Sequence, residues 1–200
     1  MDFNTELKAV SDLLSMLLNP RNALLIGLLL GAAWSDFRTG RIPNWLVLCG
    51  AVIGLTCNTV LPASTLPPLT ALWSALAGLL CGLGILLPLY LMRAMGAGDV
   101  KLMAMCGAFL GFPEILWAAL ATFLAGGLLA LTYLLWNGGL RRALRNITDL
   151  GRSALFDITL GSKPTLAVDA KNSTGTLPYA LAIAAGTIGY LVINELGLVR

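Results

Sequence analysis

Long apolar stretches, broken only by brief charged or glycine- and proline-containing joints, leave this chain few places to fold other than a lipid bilayer. Six stretches can be drawn, at about residues 21–36, 44–61, 69–92, 96–112, 113–136 and 178–199. They lack strand-like alternation and exceed the roughly 10 residues of a barrel strand, so helices are the expected spanning elements. Only 12% of the residues are charged, against about 25% in an ordinary soluble domain, and 58% are hydrophobic. The expected fold class is all-α, a polytopic membrane bundle of about six transmembrane helices. The fourth stretch is the weakest. From Asp99 to Phe112 a helix would extend about 21 Å, against a hydrocarbon core of about 30 Å, so it starts before Asp99 or fails to cross fully.

With six spans both termini lie on one side, and the basic residues test that arrangement. Arg38, Arg41, Arg93, Lys101, Arg141, Arg142, Arg145, Arg152, Lys163 and Lys171 fall on the side opposite the termini, leaving Lys8, Arg21 and Arg200 on the other. The positive-inside rule makes the richer side cytoplasmic and puts both termini outside. A net charge of +3 is in this setting a matter of topology, and nucleic acid is not an expected partner. The tail at 1–20 repeats Phe3, Leu7, Val10, Leu14 and Leu17 at helical spacing and is expected to lie on the membrane. It also carries Asp2, Glu6 and Asp12, so the basic opening of a cleavable signal ahead of Gly31-Ala-Ala33 is missing. A membrane-embedded domain is expected over 21–200, with a cytoplasmic loop at about 137–177. There Leu140, Leu144, Ile147, Leu150, Leu155 and Ile158 form a second amphipathic stripe among arginines, suited to anionic lipid. Polar Gly161 to Thr176 reads as a flexible connection.

Histidine is absent, and Cys49, Cys57, Cys81 and Cys106 lie in apolar stretches without a CxxC pair. A structural zinc site or a Cys/His nucleophile is therefore not expected, and the cysteines read as buried packing residues. Attention shifts to carboxylates, because an Asp at the centre of a membrane helix costs about 2.5–3.5 kcal/mol. Asp36 ends the first span and Asp99 opens the fourth, both on the side that the basic residues mark as cytoplasmic. Two carboxylates a few ångströms apart share a proton, which is the state a hydrolase uses: one member takes a proton from water while the other polarises a carbonyl. Gly96 and Gly98 remove side chains beside Asp99, where another helix can approach closely or the chain can hinge. Arg38 and Lys101 could stabilise carboxylate charge, bind substrate or lipid, or extend to the interface. Pro43 and Asn44 read as the end of a loop and the cap of the second span.

The segment Asp36-Phe-Arg38-Thr-Gly-Arg41-Ile42-Pro43-Asn44 resembles the motif that follows the first catalytic aspartate of prepilin peptidases. Gly96-Ala-Gly98-Asp99-Val-Lys101-Leu102 resembles their GxGDxKL motif, and Leu177-Pro178-Tyr179-Ala180 resembles the segment opening their last helix. The resemblance implies a membrane aspartyl endopeptidase serving type IV pilus biogenesis and protein secretion. It would remove the leader of a prepilin or pseudopilin substrate at the cytoplasmic face of the inner membrane. Asp36 and Asp99 would be catalytic, with no cofactor and no metal. The longer bacterial members carry a cytoplasmic domain with paired CxxC motifs and methylate the new N-terminus. The short loop here lacks that domain and is more similar to the Flp, or tight-adherence, branch. Presenilin-like proteases share GxGD, but the Arg41-Ile42-Pro43-Asn44 context favours the prepilin branch. A small ion- or proton-coupled transporter also uses paired aspartates, yet its site tends toward the midplane between repeats. No repeat is visible here. A noncatalytic assembly subunit is a further alternative.

Overall fold

The computed structural model describes residues 11, 14–60, 67–92, 95–136 and 179–197, and all the regular structure among them is helical. Besides helical residues at 14–18, six helices are bounded among the described residues: α1 Pro20–Thr39, α2 Asn44–Val60, α3 Pro68–Leu91, α4 Ala97–Leu110, α5 Glu114–Trp136 and α6 Tyr179–Glu195. Each falls on one of the six apolar stretches. Local chemistry sets several ends. Asn19 caps α1 by accepting the Arg21 N–H at 3.1 Å, ahead of Pro20 at a position that has no N–H to lose. Gly40, at φ 61°, closes α1 in the left-handed conformation and returns its N–H to the Asp36 carbonyl at 2.8 Å.

The helices form a ring around an axle. α4 touches all of the other helices, and those contact one another in the closed order α1, α2, α3, α5, α6 and back to α1. Every residue of α4 from Leu102 to Leu110 is buried, as expected of a helix that is apolar all round. Its start at Ala97 answers the question left by its length: at 14 residues it spans about 21 Å and does not cross a full hydrocarbon core alone.

Close packing of the axle depends on glycine. A Cβ on Gly107 of α4 would lie 2.1 Å from the Gly78 carbonyl oxygen of α3, and one on Gly82 would lie 2.5 Å from the Met103 carbonyl oxygen. On the other flank, Gly50 and Gly54 of α2 receive the Met105 and Phe109 side chains. Gly50/Gly54 and Gly78/Gly82 are both G-x-x-x-G pairs, a spacing that lets membrane helices approach backbone to backbone.

The C-terminal end of α4 is sealed by side chains. Asn58 of α2 donates to the Ala108 and Phe109 carbonyls at 2.7 and 2.8 Å. Buried Arg21 of α1 donates to the Phe109 carbonyl and, at 3.2 Å, to that of Leu110. Carbonyls that no following turn can bond are thus satisfied where water is scarce. The Glu114 carboxylate is near enough to offset part of the Arg21 charge. Arg21, read from sequence as a charge on the outer side, is therefore a tertiary helix cap. Arg21→Met is expected to cost about 1–3 kcal/mol, because it strands the buried Leu110 carbonyl while Asn58 still serves that of Phe109. Arg21→Lys, which keeps one cationic donor, should fall between. Thermal unfolding in lipid nanodiscs measures both, and a Met variant as stable as the parent would contradict this role.

The outer surface is apolar. Two helices, Pro68–Leu91 and Glu114–Tyr133, contain windows long and apolar enough to cross a membrane, with 22% of each window buried, so most of each faces outward. The tryptophans stand exposed in two groups: Trp34, Trp45 and Trp136 toward the end holding Asp36, and Trp73 and Trp117 toward the opposite end. Cys106 alone among the cysteines is fully buried, where it accepts a 3.8 Å hydrogen bond from Thr187 Oγ1. Cys49 is exposed and Cys57 and Cys81 are half-buried, which corrects the expectation of four packing cysteines; a thiol facing hydrocarbon needs no protein cover. Of the tail's apolar residues, Leu14 and Leu17 are exposed, while Met16 packs into the core. The rest of that stripe, Arg93 and the whole of the 137–177 loop lie outside the described residues.

Candidate active site

Helix direction brings the two aspartates together. Asp36 lies in the last turn of α1 and Asp99 in the first turn of α4, so antiparallel placement puts both at the same end of the bundle. Both are half-buried, and the Asp36 charge acts on Asp99. Each carboxylate also meets the N-terminal end of a helix. Asp99 Oδ2 accepts the N–H of Gly96, the cap of its own helix, at 3.3 Å. Asp36 Oδ2 accepts the N–H of Ala180, in the first turn of α6, at 3.4 Å. Backbone donors and the positive ends of helix dipoles hold a carboxylate in place.

The residues after Asp36 build the turn that faces Asp99. Ser35 Oγ donates to the Arg41 carbonyl at 3.0 Å, and Thr39 Oγ1 donates to the Ser35 and Arg41 carbonyls at 2.8 and 3.1 Å. With Gly40 reversing the chain, these bonds fold the loop back so that Ile42 lies against Gly98. A Cβ on Gly98 would be 3.2 Å from Ile42 Cβ and 3.3 Å from its Cδ1. The neighbour that comes close at Gly98 is therefore the α1–α2 loop rather than another helix. A Cβ on Gly96 would come within 3.3 Å of Asp99 Oδ2.

Arg38 and Lys101, expected to stabilise charge, bind substrate or lipid, or extend to the interface, each have another side-chain partner. The Arg38 guanidinium stacks over the Trp34 ring, one turn back on α1, at 4.8 Å from its centroid. Lys101 is exposed and donates to Asn44 Oδ1 at 3.0 Å, tying α4 to the first residue of α2. Asn44 is thus a tertiary acceptor as well as the start of its helix. Tyr179 was not singled out from sequence. Its phenolic edge lies on Gly126 of α5, 3.0–3.2 Å from where a Cβ would stand, and the charge of Asp99 reaches it. Its only sequence signal was membership of the Leu177-Pro178-Tyr179-Ala180 segment. Among the described residues no group of His, Cys, Asp and Glu is arranged to hold a metal ion.

No curated protein matches the chain. No solved structure matches it either. Residues 23–131 match the profile of the type IV leader peptidase family, a region that includes both aspartates, the turn after Asp36 and the whole of α4. That span covers more than half of the 200 residues, and with the outward apolar surface it settles the assignment: the chain is a membrane peptidase belonging to the type IV leader peptidase family.

Proposed function

We propose that the protein is a membrane-embedded aspartyl endopeptidase that removes the leader from prepilin-like proteins at the cytoplasmic membrane face. The observation carrying this reading is the convergence of Asp36 and Asp99, from helices distant in sequence, at one end of the bundle. One carboxylate takes a proton from water as the water oxygen bonds to the scissile carbonyl carbon, while the protonated partner donates to the carbonyl oxygen. The tetrahedral species then collapses: the carboxyl that took the water proton passes it to the leaving nitrogen, the C–N bond breaks, and a gem-diol hydroxyl returns its proton to the other carboxylate as the carbonyl re-forms, so the shared-proton state returns. Backbone N–H groups at 3.3 and 3.4 Å orient both acids without using a second charged residue. A coupled transporter would favour carboxylates at mid-helix, and these stand in terminal turns.

The placement in a membrane rests on the outward apolar faces and on exposed tryptophans grouped toward both ends, as in interfacial aromatic belts. The orientation rests on basic residues. Arg38, Arg41 and Lys101 are exposed at the aspartate end, whereas Arg21 at the other end is buried as a helix cap and drops out of the loop charge. In a cysteine-free variant, a single cysteine replacing Ser64 should be labelled from outside intact cells, and one replacing Ser173 only after permeabilisation. The reverse pattern would invert the topology.

Purified protein in lipid should cut a prepilin-like substrate between leader and hydrophobic segment with no other protein present, and metal chelators should not inhibit. Absence of cleavage, or an activity lost to chelation and restored by zinc, would sink the aspartyl reading. The contact at Gly98 gives a graded test. Gly98→Ala asks Ile42 to yield by a few tenths of an ångström, while Gly98→Leu must displace the loop. Because catalytic geometry fails at about 1 Å of misplacement, the Leu variant should lose roughly 100-fold in cleavage and the Ala variant far less. Leader removal at equal membrane abundance measures both, and a fast Leu variant would make the contact irrelevant.

A further inference from the structure

The matched family region ends at residue 131, yet Asp36 takes a hydrogen bond from α6, which begins at Tyr179. What fixes that end of α6 is visible. Gly126 leaves a slot on α5, and the Tyr179 phenolic edge occupies it, with Cε2, the hydroxyl and Cζ at 3.0, 3.1 and 3.2 Å from the position a Cβ would take. Two turns further along, Gly186 of α6 lies against the Thr122 backbone of α5, so α5 and α6 meet closely at both levels. The residue after Tyr179 is fully buried Ala180, whose N–H reaches Asp36. A continuous mechanical link thus runs from the α5 backbone through the Tyr179 ring and the first turn of α6 to the Asp36 carboxylate.

We propose that Tyr179 is a positioning residue of the peptidase, a wedge against Gly126 that sets the Ala180 N–H on Asp36 and thereby places Asp36 opposite Asp99. The ring acts through its shape and the neighbouring amide, so its hydroxyl is dispensable. The kinetic consequence rests on the peptidase reading; the mechanical link does not.

Two measurements test it. In the first, Tyr179→Ala lowers kcat by roughly tenfold or more with KM little changed, and Tyr179→Phe restores most of the loss. Gly126→Val, at a residue in contact with neither aspartate, lowers kcat similarly by pushing the ring out. Combining it with Tyr179→Ala recovers part of the rate, because the valine fills the vacated slot. An unaltered kcat in Tyr179→Ala, or a Tyr179→Phe variant as slow as the Ala variant, would overturn the wedge. The second measurement uses no substrate: thermal unfolding of the full chain in nanodiscs, as a double-mutant cycle. The shift caused by Tyr179→Ala shrinks by about half or more when Asp36→Ala has already removed the acceptor of the Ala180 N–H. Additive shifts would overturn the link whether or not the parent cleaves. A parent that cleaves nothing while the cycle stays non-additive would sink the peptidase mechanism and leave the link standing.

Discussion

Asp36→Asn and Asp99→Asn are each expected to reduce leader removal by roughly 10²–10⁴-fold or more, the range that a positioned acid or base contributes. Asn matches the shape of Asp and can still accept the N–H of Ala180 or Gly96, so the turns at 3.4 and 3.3 Å keep their partners. What disappears is the ability to take up and return a proton within one cycle. The two single variants and the double variant should therefore be about equally inactive, since the pair works as a unit and its losses do not add. Membrane abundance and thermal unfolding should stay near parental values, which separates lost chemistry from lost folding. Near-normal processing by either purified variant would remove that aspartate from the reaction.

Gly107→Leu should have the largest effect on assembly. Its Cβ would stand 2.1 Å from the Gly78 carbonyl oxygen and 2.5 Å from the carbonyl carbon, contacts made by backbone that no rotamer change can relieve. Overpacking in an adaptable core costs about 1–3 kcal/mol, and a clash with rigid backbone exceeds that range. α3 and α4 would have to separate, exposing the axle and shifting Asp99 with it. Loss of folded protein, seen as protease sensitivity in membranes, is the expected result. Gly84→Leu on α3 is the control, because a Cβ there meets nothing within 4 Å. If Gly107→Leu were as stable as Gly84→Leu, the glycine contact would not hold the bundle together.

The helices were legible because long apolar runs mark them, whereas the roles of Pro20, Pro68 and Gly40 at their ends were not read in advance. The aspartates were legible because carboxylates are rare beside the apolar stretches. Partnerships were not. Nothing within a single segment tells Arg21 that its acceptors lie at Phe109 and Leu110, so it reads as a surface charge until α1 and α4 are side by side. Gly98 was read as a point of close approach, but the approaching residue, Ile42, depends on hydroxyl bonds from Ser35 and Thr39 that set the course of a turn. Arg38 carries a motif position and a cationic group, yet the nearest aromatic face on its own helix captures it. The G-x-x-x-G pairs at 50/54 and 78/82 stand in the sequence but were not singled out there, and their role in clamping α4 emerges only from the packing.

The short axle also bears on how such a protein is made. A helix of 14 residues, about 21 Å long, is a poor candidate for independent partition into a bilayer about 30 Å thick. Its last carbonyls are bonded by Asn58 and Arg21, which arrive earlier in synthesis on α2 and α1. Arg21 in turn has no acceptors at depth until α4 is in place. α1 and α4 therefore complete each other's hydrogen bonds, so neither end is fully satisfied before both helices are present. A polypeptide truncated after residue 96 would leave Arg21 at the water boundary, making that residue's accessibility to aqueous reagents a clock for when the bundle closes.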